Sequence, residues 1–101
     1  MSNTKVMNDS EVQEHLTKLP GWKYQDKAIQ KQFEFSNFLE SVAFVNKVAP
    51  LAEELGHHPD LQIQYSKVTV TLTTHDSGGV TQKDLELAKK IETMERKELG
   101  E

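Results

Sequence analysis

The chain has 101 residues, a length that fits one domain with one modest hydrophobic core. Hydrophobic residues make up 36% of it and charged residues 28%, which is typical of a globular protein rather than a disordered one. The net charge of −4 argues against a general nucleic-acid-binding protein, and the absence of cysteine excludes disulfides, zinc–thiolate sites and cysteine nucleophiles.

The polar N-terminal stretch MSNTKVMNDSE lacks the apolar segment of a secretory signal. Nor does any apolar run approach the roughly 20 residues of a membrane-spanning helix. We therefore expect a cytoplasmic protein with no membrane partner. Residues 1–9 are predicted to be a flexible N-terminus, and residues 10–101 a single domain.

A short helix and a pair of strands are predicted first. Ser10 and Gln13 form a capping-box pattern for the helix, which Pro20 and Gly21 end. The segments WKY and AIQKQFEF then alternate like two strands joined at QDK. Lys31 interrupts the apolar side of the second strand, which suggests an edge or strand-end position.

The longest helix is predicted at about residues 37–55, with Ser36 as its N-cap and Gly56 at its C-terminal end. Pro50 lies inside it and is expected to kink or loosen it. Five apolar residues recur at helical spacing and are predicted to face the core: Phe38, Val42, Val45, Ala49 and Ala52.

Two further strands, LQIQY and KVTVTLTTH, are followed by a last helix at about residues 82–98, for which Thr81 and Asp84 form a capping pattern. The predicted fold is therefore α+β, with two layers: a four-stranded antiparallel sheet and three helices packed on one face. The free edges of so small a sheet favour pairing with a second copy of the chain, so we expect a homodimer or homotetramer.

Two adjacent histidines, His57 and His58, lie between the long helix and the third strand. The unperturbed pKa of histidine lies close to neutral pH, so an imidazole can give or take a proton without large tuning. Pro59 restricts the backbone of the turn. On its own, such a turn could equally be a solvated connection without function.

His75 favours the functional interpretation because it ends the clearest strand. Pairing of the last two strands around Ser66 would place Leu61 roughly opposite Thr71. His75 would then reach the turn that carries His57 and His58. Three imidazoles from two distant stretches are therefore predicted to converge at one end of the sheet.

A metal site is the second interpretation of these histidines, with Asp60 or Asp76 as further ligands. It ranks lower because adjacent histidines do not naturally aim both rings at one ion. Glu53, near the end of the long helix, is a candidate for holding an imidazole in one tautomer. Asp84 has a simpler role as a helix cap, and contact with a histidine is left open.

The spacing of these residues resembles the signature of the pterin-4a-carbinolamine dehydratases. Five residues separate Pro59 from Tyr65, nine separate Tyr65 from His75, and eight separate His75 from Asp84. Glu53 and the two adjacent histidines precede this run at the family spacing. The flanking segments LPGW and THDSGGVTQKDLELAKKIE are similar as well, so the resemblance extends from about residue 10 to residue 92.

The resemblance implies an enzyme that removes water from a 4a-hydroxytetrahydropterin without a metal or organic cofactor. It recycles the cofactor of aromatic amino acid hydroxylases, which implies a functional link to such an enzyme. The implied catalytic residues are His57, His58 and His75: His57 and His75 would be acid/base groups, and His58 would bind and orient the pterin. The implied substrate-binding residues are His57, His58, Pro59, Thr74, His75, Asp76 and Ser77, with Glu53 and Asp84 in support.

Two positions depart from the family pattern. Leu61 stands where many relatives carry tryptophan, and Gly56 where many carry an acidic or polar residue. Two alternatives therefore remain open. One is a non-catalytic module that binds a pterin or dimerises a transcription factor, and the other is a protein acting on a molybdopterin-type cofactor.

Overall fold

The computed structural model describes residues 5–98, and the side chains as far as residue 95. Three helices and four strands follow one another as α1 (Asp9–Leu16), β1 (Lys23–Gln25), β2 (Ala28–Glu34), α2 (Phe38–Leu55), β3 (Asp60–Gln64), β4 (Lys67–Leu72) and α3 (Gln82–Glu98). The strands form one antiparallel sheet in the order β1-β2-β4-β3. This is the predicted α+β arrangement. Among residues 5–98, no helix combines the length and the apolarity needed to cross a membrane.

The predicted N-caps of α1 and α2 are wrong by two residues and one residue, respectively. Asn8 caps α1 in a reciprocal capping box with Glu11, so Ser10 lies inside the helix. Asn37 caps α2 by accepting the Glu40 backbone N–H at 2.9 Å. In each case an asparagine oxygen bonds the third helical residue, a role in which asparagine is at least as effective as serine.

Part of the segment predicted to be flexible contacts the domain. The Met7 backbone N–H donates to the Val80 carbonyl at 2.9 Å, and Val6 packs over Gly79. An added Cβ at Gly79 would lie 2.8 Å from Val6, closer than van der Waals contact allows. Residues 1–4 lie outside the described part of the chain.

The edge or strand-end position that the sequence suggested for Lys31 is wrong. The residue lies in the middle of β2, which has β1 on one side and β4 on the other. Its ammonium donates to Glu92 at 2.5 Å and to the Pro20 carbonyl at 3.2 Å, and lies 4.7 Å from the centroid of the Phe33 ring. These partners explain how a lysine fits on the inner side of a central strand.

The β3–β4 hairpin has a two-residue turn, Tyr65 and Ser66, with Tyr65 in the left-handed region at φ 56°. Leu61 therefore pairs with Val70, and the predicted pairing with Thr71 is wrong by one residue. A shift of one residue reverses which face each side chain occupies.

The inner face of α2 also differs from the prediction. Its buried residues are Ser41, Phe44, Val48 and Ala52. Of the five predicted residues only Ala52 is fully inside, and Phe38 is half exposed. The helix continues through Pro50 to Leu55, where Gly56 ends it at φ 63° as predicted.

The core lies between the sheet and the helices. The inward residues of β4, Val68, Val70 and Leu72, are fully buried. Across this layer α3 contributes a buried apolar stripe, with Leu85, Leu87, Ala88 and Ile91 at its centre. As a result, the first turn of α3 lies beside the C-terminal end of α2 and the C-terminal end of β4.

Tyr24 provides a test of how α1 is attached to the sheet. Its hydroxyl donates to Asp9 at 2.9 Å, and this hydrogen bond, with smaller effects of burial and of the Asp9 charge, raises the pKa of Tyr24 above 10.0. Because the folded pKa is raised, the stability that the contact adds is present below the unfolded pKa of about 10 and is lost as pH rises through the folded pKa.

We expect Asp9→Asn to lower the pKa of Tyr24, so that its tyrosinate absorbance appears at a lower pH than in the parent protein. The other tyrosine of the chain, Tyr65, is two-thirds exposed and serves as the internal reference. Ultraviolet titration of the parent, Asp9→Asn and Tyr24→Phe proteins separates the two rings. An unchanged titration in Asp9→Asn would show that the hydrogen bond does not hold in solution.

Candidate active site

The end of α2 fixes the backbone of the histidine turn. Gly56 donates its N–H to Glu53 at 3.1 Å, and His57 donates its N–H to Ala52 at 3.0 Å. These two bonds, with Gly56 in the left-handed conformation, are the Schellman motif that reverses the chain after a helix. Pro59 follows, and β3 begins at Asp60. The position of His57 thus depends on the helix end rather than on a free loop.

The His57 ring points inwards and meets a carboxylate. Its Nε2 atom makes a short hydrogen bond to Oδ1 of Asp84, which lies in the first turn of α3. The exposed fraction is 11% for the His57 side chain and 0% for Asp84. The contact that the sequence left open for Asp84 is therefore present, and it is almost wholly removed from water.

The other oxygen of Asp84 accepts two further hydrogen bonds. The Thr81 backbone N–H donates to Oδ2 at 2.9 Å, as the predicted cap requires, and the Thr74 hydroxyl donates to the same atom at 2.9 Å. The Thr74 and Thr81 hydroxyl oxygens are 2.7 Å apart. An ionised carboxylate accepts hydrogen bonds and donates none, so Asp84 is surrounded by groups that can all act as donors towards it.

This arrangement determines which nitrogen of His57 is available. When Asp84 is ionised, Nε2 carries the proton that the carboxylate accepts, and Nδ1 of the neutral ring is an acceptor. No side-chain nitrogen or oxygen that is buried within the described part of the chain lacks a partner. Among residues 5–98, Nδ1 of His57 has no hydrogen-bond partner, so it belongs to the small part of the ring that solvent reaches.

His58 lies beside this pair in a different environment. Its Nε2 atom is 2.5 Å from Oε2 of Glu53, and both side chains are more than 60% exposed. Exposed ion pairs contribute little to stability, typically below about 1 kcal/mol. Glu53 thus contacts the imidazole of His58 at the surface, and its role in holding that ring in one tautomer stays a prediction.

Thr74 begins a tight loop that carries the third histidine. A bridge joins Thr74 to Gly79, and the Thr74 carbonyl accepts the Ser77 and Gly78 N–H groups at 3.0 and 2.9 Å. Thr74 continues the inward alternation of β4, whereas His75 has its side chain exposed to solvent.

The hydrogen bonds thus divide the predicted site residues into three groups. One group joins His57, Thr74 and Asp84, and a second joins Glu53 to His58. The third is the adjoining loop with His75 and Asp76 exposed and Ser77 half-buried. Within residues 5–98, no hydrogen bond links the three imidazoles, and no three His, Cys, Asp or Glu side chains are placed to hold a metal ion.

The corrected hairpin register places the end of β4 beside the histidine turn. Its last pair is Asp60 with Thr71, and a few residues beyond that pair His57 and Thr74 bond the same carboxylate. From the sequence, Thr74 is expected to be a pocket residue and Thr81 only a helix cap. The inward alternation of Val68, Val70 and Leu72 was the signal that could have placed the Thr74 hydroxyl beside Asp84.

Comparisons with known proteins match most of the chain to one family. The family model described as pterin 4 alpha carbinolamine dehydratase matches residues 5–94. A protein of Sulfolobus acidocaldarius is 48% identical over 85 residues, which are 84% of this chain and 93% of that protein. A protein of Picosynechococcus sp. is 52% identical over 82 residues, which are 81% of this chain and 89% of that protein. Both carry the name "Putative pterin-4-alpha-carbinolamine dehydratase".

Solved structures show the same fold. The crystal structure of a transcriptional coactivator/pterin dehydratase from Brucella melitensis has a TM-score of 0.84 and 37% identity, and the match covers 88% of this chain and 97% of that one. A pterin dehydratase-like protein identified as a RuBisCO assembly factor in the alpha-carboxysome shares the fold at a TM-score of 0.57 and 23% identity, covering 71% and 83% of the two chains. By the extent of the family match and the identity to these relatives, the chain belongs to the pterin-4-alpha-carbinolamine dehydratase family.

Proposed function

We propose that the protein converts a 4a-hydroxytetrahydropterin into the quinonoid dihydropterin and water by histidine acid/base catalysis. The single observation that carries the proposal is the buried His57–Asp84 pair, which leaves Nδ1 of His57 at the surface. His58 is its neighbour in the chain, and His75 directly follows the Thr74 that bonds the same carboxylate.

The reaction requires two proton transfers. The bond between C4a and the hydroxyl oxygen breaks, the leaving oxygen takes a proton to become water, and N5 loses a proton. One imidazolium and one neutral imidazole can perform these steps near neutral pH. We assign them to His57 and His75, in agreement with the family resemblance, without specifying which is the acid.

Asp84 supports His57 in this scheme. A carboxylate on Nε2 orients the ring and balances the positive charge that the imidazole acquires when Nδ1 takes a proton. The hydroxyl of Thr74 bonds this carboxylate, so Thr74 would act on the substrate through Asp84. His58, Pro59, Asp76 and Ser77 would form the pterin-binding surface, with Glu53 orienting His58.

The reaction would take place in the cytoplasm and would need only the side chains of the protein. No metal or organic cofactor takes part, because the imidazoles supply both proton transfers. The pterin product, once reduced to the tetrahydropterin by a separate reductase, would return to an aromatic amino acid hydroxylase in the cytoplasm. A non-catalytic binding role is the second candidate, and the exposed apolar residues Phe38 and Leu39 at the start of α2 favour it, since such patches often meet a partner protein.

We also propose that the protein is a homodimer or homotetramer. β3 is an edge strand of five residues without lysine or proline, the residues that commonly protect an edge from pairing. Ile63 lies on this edge and is 37% exposed. A second copy pairing along β3 would bury both the open backbone groups and this side chain.

The first prediction concerns the imidazoles. We expect His57→Gln and His75→Ala each to slow enzyme-dependent decay of 4a-hydroxytetrahydropterin on the order of 100-fold or more, because each removes an acid/base group. His57→Gln keeps an amide that can bond Asp84, which limits the effect on folding. Stopped-flow absorbance with purified protein gives the rates.

His15→Ala is the matched control, since this histidine lies on α1. It should retain the parent rate, and so should the parent protein after exhaustive chelation. Full activity in both His57→Gln and His75→Ala would refute the acid/base assignment. A folded parent protein that binds a pterin without accelerating its decay would favour the binding role.

A second prediction concerns Asp84→Asn. The amide oxygen can keep the two bonds from Thr81 and Thr74, which turns the NH₂ group towards Nε2 of His57. Nε2 must then accept, so the ring proton moves to Nδ1 and the reactive nitrogen is blocked. We expect kcat to fall at least about 100-fold. In the Ser-His-Asp triad, the corresponding Asp→Asn change also gives the wrong tautomer of the histidine, and it lowers kcat by more than this.

The tautomer can be read directly from long-range ¹H–¹⁵N NMR spectra of the His57 ring. Glu53→Gln is the comparison, because its partner His58 is exposed and the change should leave the His57 signals as they are. If Asp84→Asn keeps the proton on Nε2, the proposed role of Asp84 is wrong.

A third prediction concerns assembly. Light scattering should give a mass at least twice the 11.5 kDa of one chain. Ile63→Lys places a charge on the open edge and should shift the protein towards monomer, whereas Gln32→Lys, on a central strand, should not. A monomeric parent protein would contradict the proposal.

A further inference from the structure

Two buried hydroxyl groups lie behind the His57–Asp84 pair, and the mechanism above uses only one of them. Thr81 is fully buried and Thr74 is 8% exposed. Their hydroxyl oxygens are 2.7 Å apart, and only the Thr74 hydroxyl reaches Asp84, at 2.9 Å. Within the described residues, no backbone N–H donates to the Thr81 hydroxyl, and the Asp84 N–H donates to the Thr81 carbonyl instead, so this hydroxyl does not perform the usual role of a cap side chain, which accepts a backbone N–H of the first helical turn.

The directions of these hydrogen bonds follow from counting protons. A hydroxyl has one hydrogen to donate, and an ionised carboxylate can only accept. The Thr74 hydrogen must therefore point to Asp84. The contact between the two hydroxyls then requires that the Thr81 hydrogen points to the Thr74 oxygen. The result is an ordered chain in which each hydroxyl fixes the rotation of the next.

We propose that Thr81 is a positioning residue of this site, whose hydroxyl orients Thr74 so that Asp84 is held ready to accept the Nε2 proton of His57. The inference rests on the proposed function for its catalytic consequence. Its structural part concerns the ring of His57 and can be measured without substrate. Thr81 also supplies its backbone N–H to Asp84, so one residue holds the carboxylate both directly and through Thr74.

Loss of the Thr81 hydroxyl should act on orientation rather than on binding. With valine at position 81 the backbone N–H still bonds Asp84, and the shape of the side chain is nearly unchanged. The Thr74 hydroxyl, however, loses the donor that fixed its rotation. The hydrogen bond from Thr74 to Oδ2 of Asp84 is then formed for a smaller fraction of the time. The tautomer of His57 with its proton on Nε2 is therefore less favoured.

The experiment compares Thr81→Val with Thr81→Ser, which retains a hydroxyl. Ser41→Ala is the matched control: Ser41 is also fully buried, and its hydroxyl donates to the Tyr65 carbonyl at 2.7 Å, in the β3–β4 turn at the opposite end of β4 from Thr74. Long-range ¹H–¹⁵N spectra of the His57 ring are recorded without substrate, with Asp84→Asn as the reference for the other tautomer. Stopped-flow measurements then give kcat and KM separately.

We expect Thr81→Val to shift the His57 ring signals towards those of Asp84→Asn and to lower kcat roughly five- to tenfold, the effect of about one hydrogen bond. KM should stay near the parent value, because Thr81 is fully buried and offers no surface to a pterin. Thr81→Ser should restore both the signals and kcat, and Ser41→Ala should change neither. Should Thr81→Val not fold, Thr81→Ala against Thr81→Ser provides the same comparison.

Parent-like His57 signals in the folded valine or alanine variant would overturn the inference, even if kcat fell. So would a loss of kcat that serine does not restore. If instead the parent protein shows no dehydratase activity, the proposed function fails, while the ring signals still decide whether Thr81 positions Asp84 and His57.

Discussion

A buried carboxylate at the start of α3 holds the functional end of the molecule together. Asp84 bonds the turn after α2 through His57, the end of β4 through Thr74, and its own helix cap through Thr81. The partners lie 27, 10 and 3 residues away along the chain. One side chain therefore joins two distant segments to the start of a helix, and the relative position of the loops around the site depends on it.

The energetics require this network to be complete. An isolated ionised carboxylate removed from water would be prohibitively unfavourable, and a buried polar group left without its partner costs roughly 1–3 kcal/mol. Each bond to Asp84 thus contributes both to stability and to the orientation of His57. The neighbouring His58–Glu53 pair is exposed and carries no such requirement. Two adjacent histidines consequently have unlike environments, one anchored in the protein and one at its surface.

The long helix shows where sequence periodicity is insufficient. Apolar residues of α2 occupy two adjoining faces, and both repeat at helical spacing. The chain buries the face with Ser41 and Phe44, and leaves Phe38 half exposed. A serine on the inner face weakens the apolar pattern there, yet its hydroxyl finds the Tyr65 carbonyl. Only packing against the sheet distinguishes the two faces, because spacing along one helix contains no information about its neighbours.

Local periodicity, helix-end chemistry and motif spacing are enough to predict the α+β class, the order of the elements, the end of α2 at Gly56 and the family. Motif spacing also indicates His57, His58, Glu53 and Asp84 as residues of interest. The contact of His57 with Asp84, and the two threonine hydroxyls next to it, exist only in the folded chain. The two-residue turn with Tyr65 in the left-handed region sets the register of β3 against β4, and this register brings the end of β4 to the turn where His57 lies. Contacts between distant segments depend on such single-residue offsets, which local patterns do not encode.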